Sequence, residues 1–272
     1  MNKTIYLILL SVVTIICILI GSIYHLSGWF LPDSKLGGTV ETYEGELEAF
    51  DSIKIDADIA DVKLETGDTY SLSYECSSEF VPKVTVEHNT LTLTQPNTPH
   101  NWKNWKKINK AKCKITLTLP SDAVINEGNI YSSVGNITIK DMQAKDMTLE
   151  ASVGEINLSS CTFKHSDFTA NVGNLETEDC DLGNGKVTAD VGNISLSHCS
   201  FTNLDVTNST GNISLDTALD LTNYDISMST DFGSLTINGD AKKKSFAQAA
   251  KDSSTTNKLT IENSLGNIDV DY

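Results

Sequence analysis

Three cysteines, Cys161, Cys180 and Cys199, recur at intervals of 19 residues. Thiols at an even spacing can form a metal column, bridge neighbouring coils of a repeat, or fill a core as small hydrophobes. An in-register parallel pair is poor disulfide geometry, and a third thiol would be left over. One interval outside the run stand Met142 and Ala218, both apolar, which favours core filling. Cys76 and Cys113 are a disulfide pair in an oxidising compartment, and free thiols elsewhere. The five histidines, His25, His88, His100, His165 and His198, share no column of the repeat described below. No His-Glu-x-x-His, paired-Cys zinc pattern, Gly-x-Ser-x-Gly or phosphate loop occurs. Asp and Glu are plentiful, but nothing selects a pair for acid–base work. No catalytic residue, metal set or cofactor is therefore assigned.

The densest candidate for binding lies in residues 100–114, which carry six Lys and no acid in a 272-residue chain of net charge -16. Trp102, Lys103, Trp105, Lys106, Lys107 and Lys110 combine aromatic rings with positive charge, a composition suited to an anionic membrane surface or an acidic envelope polymer. The plainer reading is a loop whose Trp pack on the protein and whose Lys face the acidic run 41–68. That run holds ten acids and two Lys and reads as a solvated face. All 20 basic residues are Lys. With no Arg fork for bidentate phosphate contacts, and with so acidic a surface, general nucleic-acid binding is excluded.

These residues hang on a repeat. Gly135, Gly154, Gly173, Gly192 and Gly211 are each 19 apart, and Gly233 and Gly266 follow after 22 and 33. Two residues after each glycine stands Ile or Leu, and five before stands Ile, Leu, Phe, Val or Met. Apolar residues alternate with Ser, Thr, Asn and Asp at period two, the pattern of strands with one buried face. A helix face would need spacings of three and four. The expectation is an all-β parallel β-solenoid of 19-residue coils, each glycine at a Gly-Asn corner whose positive φ it takes without steric penalty. The column three before the glycine (Ser132, Ala151, Ala170, Ala189, Asn208, Thr230, Asn263) is small or polar and reads as a crowded corner. Ala60 stands where an earlier coil would have its glycine. Further strands are expected over residues 70–75, 83–87, 90–94 and 114–119, with a hairpin turn at His88-Asn89. An excursion with a short helix is expected within residues 240–257. The last coil, from Gly266 to Tyr272, has no obvious cap and would offer its edge to another copy or a partner.

Residues 4–31 contain no charged side chain. A membrane span needs about 20 apolar residues, and neither a signal-peptidase site nor a lipobox follows. Lys3 on the short side and the acidic bulk on the other place the C-terminal domain outside. The organisation is then a short cytoplasmic tail and transmembrane helix (1–31), an acidic linker (32–47), an irregular β start or cap (48–120) and solenoid repeats (121–272).

The run Ile115-Thr116-Leu117-Thr118-Leu119-Pro120, followed by Ser133-Val134-Gly135-Asn136-Ile137-Thr138-Ile139 and its echoes, resembles the bacterial "putative adhesin" domain, related to toast-rack and GIN-type β-solenoids. The resemblance spans residues 48–272. It implies a β-solenoid outside a bacterial membrane, and it brings no catalytic residues. The function expected is a non-enzymatic binding or scaffold module of the cell envelope, adhesin-like, with a protein or anionic envelope component as partner. A regulatory partner of a membrane stress sensor is the alternative. A polysaccharide-acting β-helix enzyme is the reading from another class.

Overall fold

The computed structural model describes residues 39–96, 113–252 and 257–272. The expected membrane span lies outside these residues; among them, no helix is long and apolar enough to cross a bilayer. The described chain is β-structure apart from a single 3-10 turn at Leu221–Asn223.

The strands alternate between two long sheets. The opening strands are β1 (Val40–Glu46), β2 (Ser52–Ile59), β3 (Asp61–Gly67), β4 (Ser71–Ser77), β5 (Lys83–Glu87), β6 (Thr90–Thr94) and β7 (Cys113–Pro120). Then come the regular coils, each a longer strand followed by a short one: β8 and β9 (Val124–Val134, Ile137–Lys140), β10 and β11 (Gln143–Val153, Ile156–Ser159), β12 and β13 (Thr162–Val172, Leu175–Glu178). The series continues with β14 and β15 (Asn184–Val191, Ile194–Ser197) and β16 and β17 (Asn203–Thr210, Ile213–Asp216). The closing strands are β18 (Asp225–Phe232), β19 (Leu235–Ile237), β20 (Asp240–Lys242), β21 (Ser245–Gln248), β22 (Lys258–Leu265) and β23 (Ile268–Asp271).

The repeat sets the register. Leu149 pairs with Phe168, Phe168 with Val187, and Val187 with Val206, each one interval on. The same in-register stacking aligns Ile137, Ile156, Leu175, Ile194 and Ile213 in the other sheet. Both columns are buried and form one continuous core between the sheets. His88 and Asn89 both take positive φ, 51° and 61°, the turn that a two-residue hairpin between β5 and β6 demands.

Spatial order departs from chain order at the far end. One sheet runs β17-β23-β19-β20 and the other β16-β22-β18-β21. The last coil of the chain is therefore interior, inserted between the coil of β16–β17 and that of β18–β19. The expected free edge at Gly266–Tyr272 is corrected by this order. The two copies of the motif carry the same columns, so either satisfies its neighbours, and the long 240–257 connection lets the chain double back. That connection holds antiparallel strands β20 and β21 where a short helix was expected. The rod ends there, and antiparallel strands satisfy the open backbone groups of β19 and β18 as a helix would not.

The corner glycines are held by contact as well as conformation. Gly135, Gly154, Gly173, Gly192, Gly211 and Gly266 have φ between 139° and 154°. A Cβ on Gly173 would overlap the carbonyl oxygen of Gly154 in the coil before. Gly233 meets the carbonyl of Gly266 in the same way, and Gly135 that of Ala60. Gly173→Ala should lower unfolding free energy by about 2–4 kcal/mol. Val172→Ser, one residue away on the exposed side, should change it by under about 0.5 kcal/mol. Urea denaturation of both variants measures the contrast.

Candidate functional site

The coil corner that contains the glycine forms one long edge of the solenoid. Each turn there is two residues, as with Gly135 and Asn136 between β8 and β9. Asn side chains tie successive corners together. Asn136 Oδ1 accepts from the Glu155 backbone N–H at 2.9 Å, Asn174 from Asn193 at 3.0 Å, and Asn193 from Asn212 at 2.9 Å. Asn212 then accepts from Asn267 at 2.9 Å and Asn267 from Ser234 at 3.0 Å, which follows the inserted last coil. Behind the corner, the polar members of the small column turn inward to glycine carbonyls. Asn208 donates to Gly192 O at 3.0 Å, Asn263 to Gly211 O at 2.9 Å and Thr230 to Gly266 O at 2.9 Å. Those bonds explain how polar side chains are tolerated among buried residues.

The residue immediately before each glycine lies on the outside. Val134, Val153, Val172 and Val191 are 41–52% exposed, and Phe232 is 66% exposed. Strand pairing sets them side by side in the order Val134, Val153, Val172, Val191, Thr210, Leu265, Phe232. This is a ridge of seven positions, apolar at all but Thr210, about 30 Å long at the spacing of β-strands. A contiguous apolar strip of this kind marks a contact surface more often than scattered apolar residues do. Period two places these residues inside, in phase with the buried columns three and five before the glycine. The corner bends the chain before that phase is reached and turns them out. The signal available in the sequence was the near-constant Val ahead of each glycine.

The Lys/Trp residues Trp102, Lys103, Trp105, Lys106, Lys107 and Lys110 lie outside the described residues. Their roots do not. β6 runs beside β2 and β7 beside β3, so β6 and β7 form a further coil. Residues 97–112 take the place along the chain that a two-residue corner takes elsewhere. Both roots are pinned. Buried Gln95 accepts from the Ile59 N–H at 2.9 Å and donates to Phe80 O at 2.7 Å and to Cys113 Sγ at 3.1 Å. Cys113 is disulfide-bonded to Cys76 across the β4–β7 pair. Ile59 is paired with Val134, so these roots stand at one end of the valine ridge.

Cys161, Cys180 and Cys199 stack inside as free, buried thiols. The Cys161 N–H donates to Cys180 Sγ at 3.4 Å. Hydrogen bonding between the two thiols pushes Cys180 up and holds Cys161 down. Cys199 contacts Thr177 Oγ1 at 3.0 Å, which gives a buried hydroxyl its partner in a column otherwise of Ile, Leu and Val. His165 meets Asp146 at 2.8 Å, and His198 lies between Asp179 and Asp216 at 3.6 and 3.4 Å. All are exposed; His165 and Asp146 are neighbours on strands β12 and β10, and His198 and Asp179 stand at the corners after the short strands. His198, Asp179, Ser160 and Asp141 share the positive-φ position of the second corner.

A family model described as Toastrack DUF4097 matches residues 50–271. The chain belongs to that family. The Toastrack match takes in every corner glycine, the valine ridge and both roots of the Lys/Trp segment. Solved structures of similar fold include a "putative adhesin" from Bacteroides fragilis, 16% identical, covering 87% of this chain and 98% of that one with a TM-score of 0.50. A "putative lipid binding protein" from Parabacteroides distasonis is 14% identical, covers 86% and 97%, and has a TM-score of 0.43. A "putative cell adhesion protein" from Clostridium sporogenes is 15% identical, covers 86% and 98%, and has a TM-score of 0.37. At these identities the likeness is one of fold. No curated protein matches the Toastrack chain.

Of the six cysteines, Cys76 and Cys113 are bonded, so denatured but unreduced protein should expose four reactive thiols and reduced protein six. Titration with a thiol reagent tests this. Burial pushes the Cys199 thiol from its ordinary 9.0 up to about 11. The folded state therefore favours the neutral thiol, and that stabilisation is complete below about pH 9 and lost as pH rises towards about 11. Denaturation across this range should show a shallower alkaline loss for Cys199→Ala than for the native chain.

Proposed function

We propose that this chain is a non-enzymatic binding module of the bacterial cell envelope, tethered by residues 4–31 and facing outward. Its contact edge is the glycine corner. The observation that carries the reading is the meeting of two features on that edge: the exposed valine ridge and the pinned roots of the Lys/Trp segment. The Cys76–Cys113 bond supports an extracytoplasmic setting, because disulfides persist in oxidising compartments. The printed name of one structural neighbour, a "putative adhesin", agrees with binding as the task.

The partner is an anionic envelope component, membrane surface or wall polymer. Trp rings seat at an interface while Lys heads meet phosphate or carboxylate, at roughly 1 kcal/mol per Lys near an anionic bilayer. The acidic body repels the same surface, which confines attachment to the Lys/Trp segment and keeps the rest of the rod clear.

Replacing Lys103, Lys106, Lys107 and Lys110 with Gln should weaken binding to vesicles containing anionic lipid, or to purified anionic wall polymer, by at least about tenfold. The native interaction should fade with added salt. Binding that is unchanged in the variant would overturn the reading. Val153→Ser, Val172→Ser and Val191→Ser together measure the share of the ridge in the same assay, with native stability as the control.

A further inference from the structure

The two ends of the rod are built from different strands of opposite charge. At one end β1 is the last strand of its sheet, and its outer side pairs with nothing among the described residues. Residues 39–51 around it hold five carboxylates (Glu41, Glu44, Glu46, Glu48, Asp51) and no Lys. At the other end of the same sheet the last strand is β20. Residues 240–252 hold Lys242, Lys243, Lys244 and Lys251 against Asp240 and Asp252. Lys242 lies 3.7 Å from Asp240, and Lys244 sits over the Phe232 ring at 5.3 Å. The Lys243 side chain is exposed beside them.

Strand direction adds a second condition. β1 is antiparallel to β4, and β4 is antiparallel to β7, which runs with the coils. β1 therefore runs in the coil direction. β20 is antiparallel to β19 and runs against it. If one rod is placed end-on to another without turning it over, β20 of one meets β1 of the next as an antiparallel pair, and the sheet continues from copy to copy. Antiparallel pairing is the more stable kind.

We propose that the solenoid associates head to tail with a second copy of itself, β1 of one chain pairing with β20 of the next. Charge at a sheet edge ordinarily blunts it against its own kind, and both edges obey this: the carboxylates of β1 repel a second β1, and the Lys242-Lys243-Lys244 run at the end of β20 repels a second such run. Only the unlike pairing brings carboxylates to lysines. Such an interface is heterologous and does not close on two copies, so the product is a linear chain of rods. The proposal is independent of the glycine-corner edge, which runs along the side of the rod.

The test uses the full chain in detergent and sedimentation velocity. The native protein should associate with rising concentration at about 50 mM salt and weaken at least about tenfold at about 500 mM. K242E/K243E/K244E makes both ends acidic, and E41K/E44K/E46K makes the β1 end basic like the other. Each variant alone should lose association at least about tenfold, and an equimolar mixture of the two should regain it. Circular dichroism of each variant checks that the β-fold persists. Thr42→Cys in one copy and Ala241→Cys in another should crosslink on oxidation when mixed. A native chain that stays monomeric at all concentrations would overturn the proposal. So would association that survives either charge reversal, or a mixture of folded variants that does not recover.

Discussion

Each coil rests on the one before it at a single tight point, where the carbonyl oxygen of one corner occupies the space that a side chain on the next corner glycine would need. Everything regular about the molecule follows from that approach. It holds the corners in line, so the coils keep one register. In-register coils bring equivalent positions together, so apolar residues stack on apolar residues through the core. The Asn ladder outside the corner and the inward Asn and Thr side chains behind it both work on the backbone groups that this contact orients. A wider corner would loosen both sets of bonds together.

The same constraint explains which chemistry the interior accepts. Thiols stack because a coil column admits one small group per layer, and Thr177 is tolerated because Cys199 in the next layer meets its hydroxyl. On the outside the corner turns the preceding residue towards solvent, a valine in four successive coils, and in the coil of β6 and β7 residues 97–112 stand in the chain where a two-residue corner stands elsewhere. A single architectural element thus supplies a packed spine, an exposed apolar strip and the mount of a basic segment. The Gln95 bonds and the Cys76–Cys113 bridge fix that mount to both sheets.

Much of this was legible in the sequence. The glycine period and the period-two columns gave coil length, strand faces and the buried thiols, because each is a local pattern repeated at a fixed distance. Ala60 as the first, glycine-free corner and the His88-Asn89 turn were legible for the same reason. Three features were not. The ridge of Val134, Val153, Val172 and Val191 violates strand parity, since the corner breaks the phase within a residue. The strands at 240–248 sit in an alanine-containing stretch whose β form is dictated by the open rod end, which is a tertiary demand. The rank of the last two coils is invisible because columns encode that a coil fits and leave open where it stacks. The intervals of 22 and 33 are the trace of that rearrangement.

The displaced final coil bears on how the chain is made. A solenoid with sequential coils can grow as it leaves the ribosome, each turn docking on the last. Here β18 pairs with β22 on its inner side and with β21 on its outer side. Until residues 258–271 are in place, the coil of β18 and β19 lacks the neighbour it has in the folded rod. Residues 258–271 must enter between two segments that precede them in the chain. Completion of the rod therefore waits on them, and a chain without residues 258–271 would keep its coils up to β17 while loosening its distal end.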